Sequence, residues 1–264
     1  MNTRKIFLAN VGANATHRFE SPIFPDGTFE MIPIIESPRD VGPHSVRMGA
    51  VPSWKNPAAD LREWIPERNR AMATHFDPEF TTRTYGDNCA RAARAYALKK
   101  AKPGDLIFFL ARLKAHDEPD TTAQLGFYLV GFIEVEDILP NVRSKPTPDQ
   151  LQRFGANAHV RKGLNDDVHW DGFWVFGGSE RSVRFNRAVP VNRHFCDAVL
   201  RTANEEMFEW PDHRTELQII GSYTRTCRVI LNEGNEEHRS RIKVLSAVVS
   251  EYNPDSFPDN STSR

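Results

Sequence analysis

Residues 84–91 read TYGDNCAR. Within five positions Thr84, Tyr85, Asp87 and Asn88 combine a hydroxyl, an aromatic ring, a carboxylate and an amide. Such a set could grip a base: the ring offers a face for stacking, and the polar groups meet its edge. Three readings of the stretch are open: a catalytic acid on a tight turn, the rim of a binding pocket, or a helix start. As a helix start, Asp87 would be a good N-cap, and the capping reading outweighs the catalytic one. Basic residues follow closely. Arg83, Arg91, Arg94, Lys99, Lys100 and Lys102 share one short window in which Asp87 is the lone acid. A second basic stretch, SERSVRFNRAVPVNR, carries Arg181, Arg184, Arg187 and Arg193 against Glu180. Arg91 and Arg94, one helical turn apart, could hold phosphates together with Arg181 and Arg184, although a solvated helix face is the commoner role for such a pair.

Further candidates lie along the chain. Trp170 and Trp174 sit four apart in a strand-like run, which would put both on one face, more often a core face than a cage. Ser179 follows two glycines, but no GxxxxGK[ST] motif exists, so a plain turn is preferred to a phosphate loop. Asn10, Asn14, Asp26 and Glu30 fall in N-terminal loops, where function often resides and where Asn and Asp are also default turn residues. If the protein is an enzyme, Asp87, Asp26 and Glu30 are the candidate acids and bases. His116 with Asp117, or Asp166 and Asp167 with His169, could touch a metal, but their loops lack a spacing that fixes geometry; no metal site and no cofactor is expected. No nucleophile elbow and no dinucleotide fingerprint appears. Cys89, Cys196 and Cys227 are far apart and odd in number, so free thiols are expected.

These residues need elements to position them. KIFLAN reads as a short buried strand, and IFPDGTFEMIPIIE as a hairpin turning at Pro25-Asp26-Gly27. Residues 37–83, rich in proline and charge, read as an excursion holding Trp54 and Trp64. The alanine-rich run predicts a helix over 87–100, stopped by Pro103-Gly104. DLIFFLARL and FYLVGFIEVED predict two buried strands, the second with a bulge or bend at Gly131. Residues 140–168 read as a long flexible loop. Helices are expected over 191–209, from Asn192 as cap, and over 234–250, with Ile242, Leu245 and Val249 on one face. Residues 251–264 read as a disordered tail. The organisation implied is a single domain over 1–250 with insertions at about 37–83 and 140–168.

The bulk numbers bound the function. In 264 residues, 34 Lys and Arg oppose 35 Asp and Glu, a net charge of -1. That argues against gripping duplex DNA by bulk electrostatics while leaving room for a local basic groove. A mean hydropathy of -0.53 and the absence of a long apolar run argue against a membrane span. With no secretory leader pattern, a cytoplasmic location is expected.

The order helix, Gly104-Asp105, strand with Phe108-Phe109, loop, then strand with Gly131 and Glu134-Val135 resembles the barrel core of PUA-like domains, nearest the EVE and YTH branch. That resemblance covers about a quarter of the chain. More widely, VGANATHRFESPIFPDGTFEMIPIIE, the TYGD box, GDLIFF and GGSERSVRFNRAVPV resemble the nucleotide modification associated domain family, third type, of prokaryotes and phages. The resemblance implies an α+β fold built on a PUA-like mixed β-barrel with flanking helices and long loop insertions. It further implies recognition of a modified base or nucleotide in nucleic acid, DNA foremost, in a DNA-modification or phage-defence setting. An enzyme acting on a nucleotide or base in that setting, and a protein-interaction module, stand as alternatives.

Overall fold

The computed structural model describes residues 3–13, 17, 19–38, 41–116, 125–254 and 256–257. Asn14, Asp117, Asp255 and residues 258–264 lie outside them; of the tail read as disordered over 251–264, Glu251 and Tyr252 instead belong to the last helix.

The centre of the fold is the pair of apolar strands legible in the sequence. β7 (Leu106–Ala115) and β8 (Leu125–Val142) pair antiparallel, from Leu106 opposite Glu134 to Lys114 opposite Leu125. Their register slips between Phe109 and Leu110, opposite Gly131. This is the expected irregularity. Gly131 has φ +154°, and a Cβ there would lie 2.5 Å from the Val183 carbonyl, so the close backbone approach requires glycine.

β8 is long enough to serve several neighbours. On its other edge β9 (Phe173–Gly178) pairs with the C-terminal half and β10 (Val183–Val191) with the N-terminal half. β1 (Lys5–Val11) joins β7 in parallel and takes β11 (Arg228–Asn232) on its outer side. β2 (Ser21–Ile23) also pairs with β7, and β6 (Thr84–Asp87) pairs with β9. The sheet path among the described residues runs β11-β1-β7-β8-β9-β6 without closing. The architecture is thus mixed α+β on an open eight-stranded sheet; the closed barrel expected from the sequence is not formed.

Side chains from this sheet make the main core, with Phe7, Phe108, Phe109, Phe132, Phe176 and Phe185 fully buried. α5 (Glu236–Tyr252) closes it with Leu245 and Val249, near the predicted bounds. The excursion over 37–83 supplies β4 (Val46–Arg47) and β5 (Ala73–His75) of a small sheet that β3 (Ile34–Ile35) completes from before it, over a separate cluster of Ile32, Met48, Leu61 and Ile65. The N-terminal hairpin turns at 24–28 as expected: Ile23 bridges Phe29 antiparallel and the Glu30 amide donates to the Pro22 carbonyl, before β3 leaves to pair with β5.

Three local readings need correction. Residues 140–168 are not a flexible loop: β8 runs to Val142, and α1 (Pro148–Phe154) and α2 (Ala158–Asn165) follow. Thr147 with Gln150 makes a capping box and Asn157 caps α2, so polar residues read as turn formers are helix starts. Phe154 and Val160 pack on Phe173 and Trp170 in a third cluster. Asp87 is not an N-cap: it ends β6, and the following helix is a 3₁₀ helix over Ala93–Lys100 that begins after Ala92. The helix from Asn192, α3 (Arg193–Val199), is capped by that residue as expected but ends at Val199. After it comes α4 (Glu216–Tyr223), opened by a capping box of Thr215 with Gln218.

Candidate functional site

The TYGD strand is buried at all four residues. Tyr85 is 3% exposed, edge-on to Phe109 at 5.0 Å, and its hydroxyl donates to Asp87 Oδ2 at 3.0 Å. Asp87 Oδ1 accepts from Arg94 Nη2 at 3.0 Å and from the Asn88 amide. Burial and the Asp87 charge raise the Tyr85 pKa well above the usual phenol range, so its hydroxyl is a fixed donor. Thr84 is fully buried. The stretch is therefore a packed polar knot inside the sheet, and the Tyr85 ring has no open face for stacking.

The other candidates divide in the same way. Arg91 pairs with Asp171 at 3.1 Å. Arg181 pairs with Glu134 at 2.8 Å, where Ser179 Oγ and Arg4 also converge. Trp170 lies outside β9, after a 3₁₀ turn over Asp167–His169, and donates its indole N–H to Asp167; it does not share a strand face with Trp174. Asp166 caps that turn through the Val168 amide. His116 stacks edge-on against Trp64. Asn10 donates weakly to Thr224 Oγ1 at 3.4 Å. Asp26 is held by Thr28, whose bonds lower its pKa, and faces Lys55 at 3.9 Å.

Arg184 and Glu30 behave differently, because they line a pocket of about 350 Å³. Its wall includes Trp54, Phe76, Glu79 and Phe80. Arg184 reaches it from β10 with only 7% of its surface exposed. The guanidinium lies 4.0 Å over the Phe29 ring and 4.7 Å from that of Trp54. It donates from Nη2 to the Phe29 carbonyl at 2.6 Å and from Nη1 to the Phe185 carbonyl at 3.3 Å. Burial pushes its pKa down to about 9, with Glu30 pulling the other way. The group is cationic at neutral pH.

Glu30 is 3% exposed and locked by three donors: Ser53 Oγ at 2.5 Å, the Trp54 amide at 3.0 Å and the Lys55 amide at 2.9 Å. Glu79 takes the Thr81 and Thr82 amides and the Thr82 hydroxyl. Trp54 stays 47% exposed, a large ring at the pocket mouth. The pocket thus offers aromatic faces, a buried cation and two fixed carboxylates. These can stack on a planar ring and meet its donors and acceptors.

Beside it lies a second polar assembly that the sequence reading missed. His75, Asp77 and His159 offer ligand atoms that lie within 4.8 Å of one another. Asp77 Oδ2 accepts from the Gly86 amide at 2.8 Å and from Asn157 Nδ2 at 3.1 Å. Burial raises the Asp77 pKa well above the usual carboxylate range and drives that of His159 well below its usual value. The available signal was the H-x-D spacing of His75 and Asp77, which puts both on one face of an extended stretch. Nothing local marked His159 as their partner.

No curated protein and no solved structure matches the chain. A family model does, over residues 5–216, which include the pocket, the TYGD strand and the histidine cluster. The chain belongs to the nucleotide modification associated domain 3 family.

Proposed function

We propose that the Trp54–Arg184 pocket binds a nucleobase or nucleotide, as the reading part of a protein that recognises a modified base in nucleic acid, DNA foremost. The observation that carries this is the buried guanidinium of Arg184, held over the Phe29 ring and beside a half-exposed Trp54. A guanidinium so placed presents donors to a base edge or phosphate, while Trp54 offers the stacking face. Glu30 and Glu79 supply acceptors for exocyclic amino groups. The family name gives a nucleotide-modification context, which agrees with this chemistry. In this reading Arg184 and Glu30 carry contact, while Tyr85, Asp87 and Arg94 keep the sheet beneath the pocket in shape. The unit is a single domain over residues 1–250 of cytoplasmic setting, with a PUA-like strand pair at its centre. No helix among the described residues is long and apolar enough to cross a membrane.

The test is a binding screen of nucleoside monophosphates and of oligonucleotides carrying natural base modifications, followed by fluorescence of Trp54. Binding that quenches Trp54 and is lost in Trp54→Ala and Arg184→Met is expected. Tight binding retained by both variants would place the ligand elsewhere. Turnover of a bound base would move the protein into the enzyme class, with Glu30 and Glu79 as the first groups to test.

A further inference from the structure

We propose that His75, Asp77 and His159 form a binding site for one divalent first-row transition metal ion, of the zinc or ferrous iron kind. The inference is independent of the base-binding reading.

The donors come from two distant parts of the chain. His75 ends β5, Asp77 follows two residues later, and His159 lies in the first turn of α2. Their ligand atoms lie within 4.8 Å of one another, and His75 Nε2 stands 4.0 Å from Asp77 Oδ2. Ligands held at about 2.1 Å from one tetrahedral ion stand about 3.4 Å apart, so the three draw together by about 1 Å on binding, within reach of side-chain rotation.

The surroundings are those of a metal centre. His75 Nδ1 lies 3.0 Å from Glu36 Oε1. A carboxylate there fixes the tautomer with its proton on Nδ1 and leaves Nε2 as a lone-pair donor toward Asp77. Asn157 and Gly86 orient Asp77 through Oδ2, while Oδ1 is buried with no hydrogen-bond partner. Leaving a buried carboxylate oxygen unmatched is costly, and a cation is the partner that removes the cost. Among the described residues Asp77 has no ion pair with a lysine or arginine; Arg161 acts on it through space, with its Nη2 also unpartnered. Gly86 keeps the space clear. A Cβ on it would lie 2.6 Å from His159 Cδ2 and 2.8 Å from Asn157 Oδ1.

The donor set selects the ion. Two imidazoles and one carboxylate suit zinc, iron, cobalt or manganese, whereas magnesium and calcium prefer oxygen ligands throughout. Three protein ligands leave coordination positions for water or a substrate atom, the pattern of reactive rather than purely structural centres. His75 is 22% exposed at its side chain and provides the approach.

The test uses the full chain, free of any affinity tag and stripped with chelator. Zinc chloride, and separately cobalt chloride, is titrated by calorimetry and by visible absorption. One equivalent bound, with cobalt d–d bands that show nitrogen ligation, is expected. His75→Gln, at the partly exposed ligand, should weaken binding at least 100-fold while leaving the circular dichroism spectrum unchanged. Glu36→Gln, a positioning change, should cost about 10–100-fold. Asp77→Asn and His159→Gln should abolish binding; if either fails to fold, His75→Gln decides. Absence of saturable binding to the wild-type chain, or binding unchanged in His75→Gln, would overturn the proposal.

Discussion

The pocket around Trp54 and Arg184 and the cluster around Asp77 share one stretch of backbone but handle charge in opposite ways. Phe76, Glu79 and Phe80 face the pocket, while His75 and Asp77 belong to the cluster. The alternation of an extended chain sends neighbouring side chains to different places. In the pocket the cation is buried and Trp54 beside it reaches solvent, so a planar anion or base could arrive from outside. In the cluster the carboxylate is buried and two imidazoles surround it, so the missing partner is a small cation. A few residues of chain thus separate the proposed site for an organic ring from the proposed site for an ion.

Changes that strike one region and spare the other sharpen the distinction. The largest effect is expected from Arg184→Met. It removes a buried charge that burial already disfavours but leaves the Phe29 and Phe185 carbonyls without that donor, so the thermal midpoint should fall by only a few degrees. Affinity for a nucleotide should fall about 100-fold, corresponding to about 3 kcal/mol for a lost charge-assisted contact. A large loss of stability with affinity intact would reverse the roles assigned to the two regions.

Gly86→Ala should act on the cluster alone. Its new methyl group meets His159, Asn157 and Asp77 at short range. Overpacking of this kind costs about 1–3 kcal/mol and should appear in a denaturant titration, while nucleotide affinity stays near wild type. Equal damage to both would show that the two sites are one unit. Trp54→Ala should cost about 1–2 kcal/mol of base stacking, roughly tenfold or somewhat more in affinity, with no change in folding because the ring is half exposed.

Smaller still is the knot at Asp87. Asp87→Asn keeps the shape but weakens the bonds to Arg94 and Tyr85, for about 1 kcal/mol of stability by thermal melting. Neither site should respond. Smallest of all is the response of the thiols. Burial pushes Cys196 and Cys227 up to about 12 and raises Cys89 further. The reactive thiolate is lost as pKa rises above pH, so at pH 8 about one part in ten thousand is ionised. Native protein should resist iodoacetamide at pH 8 and label fully in denaturant; fast labelling of the folded chain would contradict the packing around Asp87 and Cys227.

Much of the fold was legible because it was local. DLIFFLARL and FYLVGFIEVED announce buried strands by continuous apolar residues, Gly131 announces its irregularity, and Asn192 announces its helix. Residues 140–168 misled because Thr147 and Asn157 look the same as turn residues until the helix they cap is seen packing on Phe173. The sites were less legible because their members meet only through distant pairing. Tyr85 goes to the core through β6 lying on β9, some ninety residues later. Arg184 and Glu30 were marked by type, as a member of a basic stretch and as a loop acid. Their neighbour Trp54 sits in an irregular stretch without periodicity. His159 meets His75 only because α2 packs back on β5 and β6.

The matched family span stops at Glu216, yet the sheet does not. β11 covers the outer edge of β1, and α5 lays Leu245 and Val249 on the core. A fragment cut at the family boundary would keep every residue of the pocket and of the cluster. It would also bare one row of strand amides and an apolar face, an invitation to aggregate. In this protein the segment that holds the pocket and the cluster and the segment that covers the edge and face of their sheet are different parts of the chain.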